Sequence, residues 1–376
     1  MSSQIIHLRA EAMPMGTRAL ITPETAAELI ATGYRIHVER STVRVFKDSE
    51  YEQAGAILVP EGSWRNASAD AVIVGTKSLP DEPFPLRHVH VYAAHVYKQQ
   101  KGWAKLLSRF RDGGGVLLDF EPLADDQGNK IITFGYQAGF VAMALALKIW
   151  AHQLFQPREV DFPAVKPYDD AGILLNEART ALAAGSKLAG RLPTVIIVGA
   201  RGKSGTGALQ LCHQVGIPKA SITAWGREDT ARGGPFQEIM DHDIFINAIH
   251  VDQPIPPFVT PEILRGTRRL SVIADISNDT NNPFNPVRIY KSSTSLDRPA
   301  VAIPVSSDPP LSVTAIGYLP SLIPREASDA AARALLPAFK QLKNRKDARV
   351  WREVENLYFE KLKTLPEDAN TSKARL

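Results

Sequence analysis

The sequence predicts an α/β protein made of two doubly wound, Rossmann-like domains with a cleft between them. Three observations predict it. Short apolar runs alternate with helical patterns twice along the chain, and such alternation feeds parallel strands covered by helices. A glycine cluster, "VGARGKSGTG" at 198–207, follows one of those runs and opens a helix. At 376 residues the chain also exceeds what one core usually holds.

Taken in order, "QIIHLRA" at 4–10 reads as the first strand. "TPETAAELIATG" at 22–33 reads as a helix, opened by Thr22 with Pro23 in its first turn. "YRIHVE" (34–39), "DAVIVGT" (70–76), "HVHVYAAH" (88–95) and "GVLLDFE" (115–121) are further strands. "GWAKLLSRFRDGG" at 102–114 is a helix closed by glycines. A helix over 137–155 bridges to a second block, with strands at 194–198, 221–225, 243–249, 269–276 and 300–305. Its run "AGFVAMALAL" at 138–147 ends in Lys148 and reads as buried helix rather than membrane span. After "YLPSLIPREAS" at 318–328 the chain turns helical to its end, and these helices are expected to pack back on the first domain. The division expected is a substrate and catalytic domain over 1–136 and 325–376, and a dinucleotide-binding domain over 137–324.

Charge is mixed: 44 Lys and Arg against 40 Asp and Glu leave a net +4. The richest basic stretch, 340–352, is broken by apolar residues and an acid, so a nucleic-acid surface is excluded from the reading. The single cysteine, Cys212, allows no internal disulfide and no cysteine-based metal site, and no metal is expected. A reducing compartment suits such a chain. The N-terminus lacks the apolar core of a signal peptide. The final Ala374-Arg375-Leu376 is similar to the Ser-Lys-Leu peroxisomal address. A cytoplasmic or peroxisomal protein, without membrane or nucleic-acid partners, is therefore expected.

The glycine cluster cannot be an ATP loop of the Walker kind. Gly202-Lys203-Ser204 supplies that motif's end, but its first glycine would fall on Ile197. Gly199, Gly202 and Gly205, spaced by threes after a strand, suit a dinucleotide's pyrophosphate at a helix N-terminus. The next strand should end in an acid that grips the adenosine ribose. Its tip here is Gly226-Arg227, with Glu228 and Asp229 beyond. An arginine without that acid would suit a 2′-phosphate, so NAD and NADP both stay open.

In the first block, Lys77, His95 and Glu121 each stand at the carboxyl end of a strand, with Lys98 behind His95 and Arg18 just before a helix. Doubly wound sheets bind ligands at those ends. Arginine grips carboxylates bidentately. A lysine in a dry, cationic place loses basicity and can carry protons, and histidine titrates near neutrality. Such a set could bind carboxylates and move protons.

These residues and their surroundings resemble the fungal lysine-forming saccharopine dehydrogenases, relatives of alanine dehydrogenase and transhydrogenase. The likeness is carried by "IHLRAE" (6–11), "GTK" (75–77), "AHVYK" (94–98), "DQG" (126–128), "FGYQAGF" (134–140), "RGGPF" (232–236), "DIFINAI" (243–249), "NNPFNP" (281–286) and "LPSLIPREAS" (319–328), all in one colinear order. The resemblance implies oxidation of a secondary amine by a nicotinamide, then hydrolysis of the imine to lysine and 2-oxoglutarate. It implies that Lys77 takes the amine proton and His95 serves imine hydrolysis. It places Arg18 and Lys130 on substrate carboxylates, and Gln100, Phe134, Ser277, Asn278 and Asp279 around the substrate. It assigns Gly202, Lys203, Thr230, His250, Ile276 and the segment Ile316, Gly317, Tyr318 and Leu319 to the dinucleotide, and it implies a monomer.

The chain departs from the family at several of these places. Ser78 stands where the family has an acid, Gly226 where it has the ribose-binding aspartate, and Gly317-Tyr318 where it has an Asp-His pair. Met13 replaces a lysine, and Ser204 and Ala248 replace two cysteines. Two other readings therefore stand beside the main one: a divergent paralogue of secondary metabolism acting on a different opine or imine, with NADPH open to it as nucleotide, and a non-catalytic sensor of nucleotide or amino acid.

Overall fold

The computed structural model describes residues 3–11, 17–77 and 79–366. Met13, Ser78 and the tripeptide 374–376 lie outside the described residues. The chain divides into two compact units, 1–133 with 327–376, and 134–326. These breaks fall at 133/134 and 326/327, where the sequence reading has 136/137 and 324/325.

The first unit begins with β1 (Ile5–Leu8), α1 (Pro23–Ala31), β2 (Arg35–Glu39), α2 (Asp48–Gln53), β3 (Ile57–Val59), β4 (Val72–Val74), β5 (Val89–Tyr92), α3 (Trp103–Gly113) and β6 (Val116–Asp119). Thr22 caps α1 by accepting from the Thr25 N–H, and Ala26 and Leu29 bury its inner face. The six strands are parallel, in the order β3-β2-β1-β4-β5-β6. The order reverses between β1 and β4, and the crevice outside the carboxyl ends of such strands is where ligands bind.

The second unit holds α4 (Gly135–Phe155), α5 (Ala171–Ala189), β7 (Val195–Val198), α6 (Lys203–Val215), β8 (Ile222–Trp225), two single-turn helices α7 (Arg227–Thr230) and α8 (Gln237–Met240), β9 (Ile244–Asn247), β10 (Val272–Asp275), β11 (Val301–Ile303) and β12 (Leu311–Thr314). Its strand order is β11-β12-β10-β9-β7-β8, reversing between β7 and β9. All pairs are parallel except β11 with β12. α4 is long and apolar enough to cross a membrane. Its residues Phe140–Leu147 are all buried in this unit's core together with α5 and α6 residues, as a helix apolar all round requires.

Two last helices follow, α9 (Pro324–Lys340) and α10 (Arg349–Leu362). α10 lies on β6 and α3 of the first unit, where the Tyr358 hydroxyl donates to the Gly115 carbonyl at 3.0 Å. The Trp351 indole N–H ties α10 to α9 through the Ala338 carbonyl at 2.7 Å. Six of the elements described escape the sequence reading, among them α7 and α8, which are single turns between β8 and β9. β3 has three residues at the sheet edge, β12 follows a proline pair and carries a serine, and α2 and α5 open in polar segments.

Candidate functional site

In the first unit the chain leaves β1 as Arg9-Ala10-Glu11 and β4 as Gly75-Thr76-Lys77, beside the reversal of strand order. The Glu11 carboxylate closes these two exits together. It accepts from the Thr76 N–H at 2.5 Å and from the Lys77 N–H at 3.1 Å. The buried Arg9 guanidinium donates to the Lys77 carbonyl and stands 3.5 Å from Glu11. The Thr76 hydroxyl donates to the Arg18 carbonyl at 3.2 Å. Lys77 thus has its backbone held on both sides and its side chain half-buried. Burial pulls the Lys77 ammonium below its usual range and the Arg18 charge pushes the same way, while Glu121 and Glu11 oppose them. Burial also lowers the Arg18 guanidinium, against the field of Glu11.

His95 and Glu121 follow β5 and β6. The His95 Nδ1 lies 3.3 Å from Glu121 Oε2, both side chains being partly open to solvent. This contact holds the Glu121 carboxyl below its usual range against burial, helped by the charges of His95, Lys77 and Lys130. His95 adopts φ 55°, in the left-handed region, a conformation that persists where its surroundings impose it. The buried Asp119 carboxylate does part of that. It accepts from the Ala94 N–H at 3.2 Å and from the Glu121 N–H at 2.9 Å. Burial pushes the Asp119 carboxyl up to about 6. Gln100 accepts from the Lys98 N–H at 3.0 Å, and Lys130 is exposed, paired by one bridge with Ala124.

In the second unit the glycine loop joins β7 to α6. Gly199 has φ 85°, and a Cβ there would lie 2.8 Å from the Ala248 carbonyl oxygen beyond β9. A Cβ on Gly205 would lie 2.2 Å from the Gly199 carbonyl oxygen, so loop and helix touch through bare backbone. Gly202 caps α6 without a side-chain bond, and Lys203 is the helix's first residue. A Cβ on Gly202 would meet only the Gly199 oxygen at 3.3 Å. The turn is therefore close-packed on one side and open on the other, as a cradle for a dinucleotide pyrophosphate must be. These residues fit such a group.

Around the neighbouring strand ends, Asn247 and Ser277 both donate to Asp275, at 2.9 and 2.6 Å. The Ile276 N–H donates to the Asn247 carbonyl at 3.0 Å. His250 Nδ1 lies 3.5 Å from Asp279 Oδ2. Asn278 has φ 47°; with its amide assigned the orientation its neighbours satisfy, nitrogen toward Ser293 and Ala315, it donates to Ser293 Oγ at 2.9 Å and the Ala315 carbonyl at 3.0 Å and accepts from the Gly317 N–H at 3.1 Å. Asn278 therefore anchors the turn that carries Ile316, Gly317, Tyr318 and Leu319; Ile316 and Leu319 are buried and Tyr318 is exposed. Phe134 immediately precedes α4. Arg227 and Thr230 begin and end α7, the Thr230 hydroxyl donating to the Arg227 carbonyl at 3.2 Å.

The structure adds Arg9, Glu11, Asp119, Asn247 and Asp275 to the residues expected. Each sits at or just past a strand's carboxyl end, which is the signal that could have found them. Their polar atoms serve backbone and neighbouring side chains, so no motif of reacting groups betrays them.

The alanine dehydrogenase/PNT N-terminal domain model matches residues 7–141. Over 98% of this chain and 100% of its own length, the saccharopine dehydrogenase [NAD(+), L-lysine-forming] of Emericella nidulans is 47% identical. The protein of the same name from Neurospora crassa is also 47% identical, over 98% of this chain and 99% of its own. That of Schizosaccharomyces pombe is 44% identical over 93% and 96%. Among solved structures, an L-alanine dehydrogenase superposes with a TM-score of 0.64 at 16% identity, covering 95% of this chain and 93% of its own. The transhydrogenase from Sinorhizobium meliloti gives 0.56 at 16% identity, covering 90% and 94%. At that identity these two speak for the fold alone.

Proposed function

The chain belongs to the family of NAD(+)-dependent, L-lysine-forming saccharopine dehydrogenases, and we propose that it catalyses that reaction in lysine biosynthesis. Saccharopine, NAD+ and water give lysine, 2-oxoglutarate, NADH and a proton, reversibly. The observation that carries this reading is near-full-length likeness to relatives that share one printed name. When bound, the nicotinamide supplies the hydride acceptor.

The chain's own residues supply the rest. Lys77, less basic than an exposed lysine, takes the proton of the secondary amine as its Cα–H bond is oxidised. His95, steadied by Glu121, delivers and removes protons as water adds to the resulting C=N bond and the C–N bond breaks. The nitrogen leaves with lysine, and the carbon becomes the keto carbon of 2-oxoglutarate. Arg18 and Lys130 hold substrate carboxylates, with Gln100, Phe134, Ser277, Asn278 and Asp279 around the substrate. Gly199, Gly202, Lys203, Gly205, Thr230, His250, Ile276 and the 316–319 segment hold the nucleotide.

Arg227 beside Gly226, where no acid stands, would suit a phosphorylated ribose, so NADP(H) is the second reading for the nucleotide. A paralogue using another amine stays beside the main reading because Ser78, Gly226 and Gly317 depart from the family. A nucleotide or amino-acid sensor would have no use for both Lys77 and His95. The proposal includes a monomer, as family resemblance implies, at work in the cytoplasm or the peroxisome. The deciding assay pairs 2-oxoglutarate with lysine and with a panel of amines, using NADH and NADPH separately. Lysine-dependent NADH oxidation supports the proposal. Turnover with another amine alone, or none despite nucleotide binding, removes it.

A further inference from the structure

The acid that a dinucleotide-binding strand should present at its tip is missing, for β8 ends at Trp225 and the next residue is Gly226. Gly226 is not required by the backbone: its φ of −105° is open to any residue. What distinguishes the position is the space beside it. A Cβ on Gly226 would lie 3.0 Å from Oε2 of Glu228 and 3.6 Å from Cζ of Arg201. The Glu228 carboxylate thus stands in the volume that the short side chain of an acid at 226 would enter.

The chain reaches this arrangement by turning back on itself. The Gly226 N–H donates to Asp229 Oδ2 at 2.7 Å, which closes α7 and carries position 228 back over the strand tip. Asp229 is therefore committed to the backbone. Glu228 is exposed, and Arg201 Nη1, from the glycine loop, lies 3.5 Å from its Oε1. Its carboxylate keeps acceptor positions for other donors.

We propose that Glu228 replaces the missing strand-tip acid, accepting hydrogen bonds from the adenosine ribose hydroxyls and setting a preference for the unphosphorylated dinucleotide. Arg201 is a positioning residue that holds the carboxylate over Gly226. A ribose 2′-hydroxyl can donate to this carboxylate, whereas a 2′-phosphate would bring like charge against it.

The inference rests on the dinucleotide reading, but its test needs no substrate. The full-length protein and its Glu228→Gln and Glu228→Ala variants are titrated with NADH and NADPH, following nucleotide fluorescence. The wild-type protein is expected to bind NADH more tightly. Each variant should lose NADH affinity by about tenfold or more, as the loss of hydrogen bonds to a charged group predicts, and should bind NADPH no worse than before. A ratio of the two affinities unchanged in both variants would overturn the proposal. So would a wild-type preference for NADPH, which would pass the ribose site to Arg201 and Arg227. Wild-type protein that binds NADH but does not turn over lysine and 2-oxoglutarate would remove the catalytic reading and leave this one standing.

Discussion

The imidazole Nδ1 of His95 stands 3.3 Å from Oε2 of Glu121, and one buried carboxylate holds the backbone at both ends of the pair. Asp119 accepts from the N–H just before His95 and from the N–H of Glu121 itself. Two strand exits are thereby fixed to each other through a group that need never meet a substrate. Glu11 does the same for the exits of β1 and β4, beneath Lys77. Lys77 and His95 thus rest on fixed backbone, which is what a positioned acid–base group needs.

Glu121 also acts on Lys77 from a distance. Its negative charge favours the ammonium, against burial and Arg18. Glu121→Gln removes that support, so the Lys77 pKa must fall further. The acid limb of kcat/KM for saccharopine oxidation is expected to move to lower pH, because the free amine appears earlier on the pH scale. A limb that stays in place or moves upward in the variant's pH–rate profile would contradict this coupling.

Asp119 gives a stability prediction. Its folded pKa, about 6, lies above the ordinary 3.8. Between those values the unfolded chain has released the proton while the folded chain retains it. The group therefore costs nothing below about pH 4, and stability falls by about 3 kcal/mol as pH rises to and beyond 6. Asp119→Asn abolishes this titration. Thermal midpoints measured across that window should drop with rising pH in the wild type more than in the variant. Parallel curves would deny the burial penalty.

The glycine loop separates folding from nucleotide approach. Gly205→Ala would set a Cβ 2.2 Å from the Gly199 oxygen and 2.5 Å from the Ala200 Cα. Backbone must shift, and a loss of about 1–3 kcal/mol in stability is expected, with weaker NADH binding. Gly202→Ala meets only one atom, at 3.3 Å, and its φ of −77° suits alanine. That variant should lose less stability than Gly205→Ala, since one neighbour must give by only a few tenths of an ångström, and should bind NADH at least roughly tenfold more weakly if the added methyl meets the pyrophosphate. Calorimetry and fluorescence titration read the two effects separately. Equal melting losses in both variants would contradict the distinction.

What could be read from the residues alone follows from where the chemistry sits. Lys77, His95 and Glu121 each close an apolar strand run, so period and position exposed them. The twice-repeated alternation gave the layered α/β class for the same reason. Glu11 stands out in the sequence only inside a motif, because a lone acid after a strand looks solvated until the two N–H groups it binds, 65 and 66 positions away, are seen. From the sequence, Glu228 lies merely past the strand tip, since the return of its carboxylate over Gly226 depends on the turn made by Asp229. Short elements suffered likewise: β3 and β12 gain their strand character from neighbours rather than from any pattern of their own.

The proposed roles of Lys77 and His95 are tested most directly by the initial rate of NADH oxidation with L-lysine and 2-oxoglutarate, measured for wild type, Lys77→Met and His95→Gln with the NADH dissociation constant determined alongside. Each variant is expected to lose turnover by roughly ten-fold to a thousand-fold while binding NADH as the wild type does. Undiminished rates in both variants would contradict those roles.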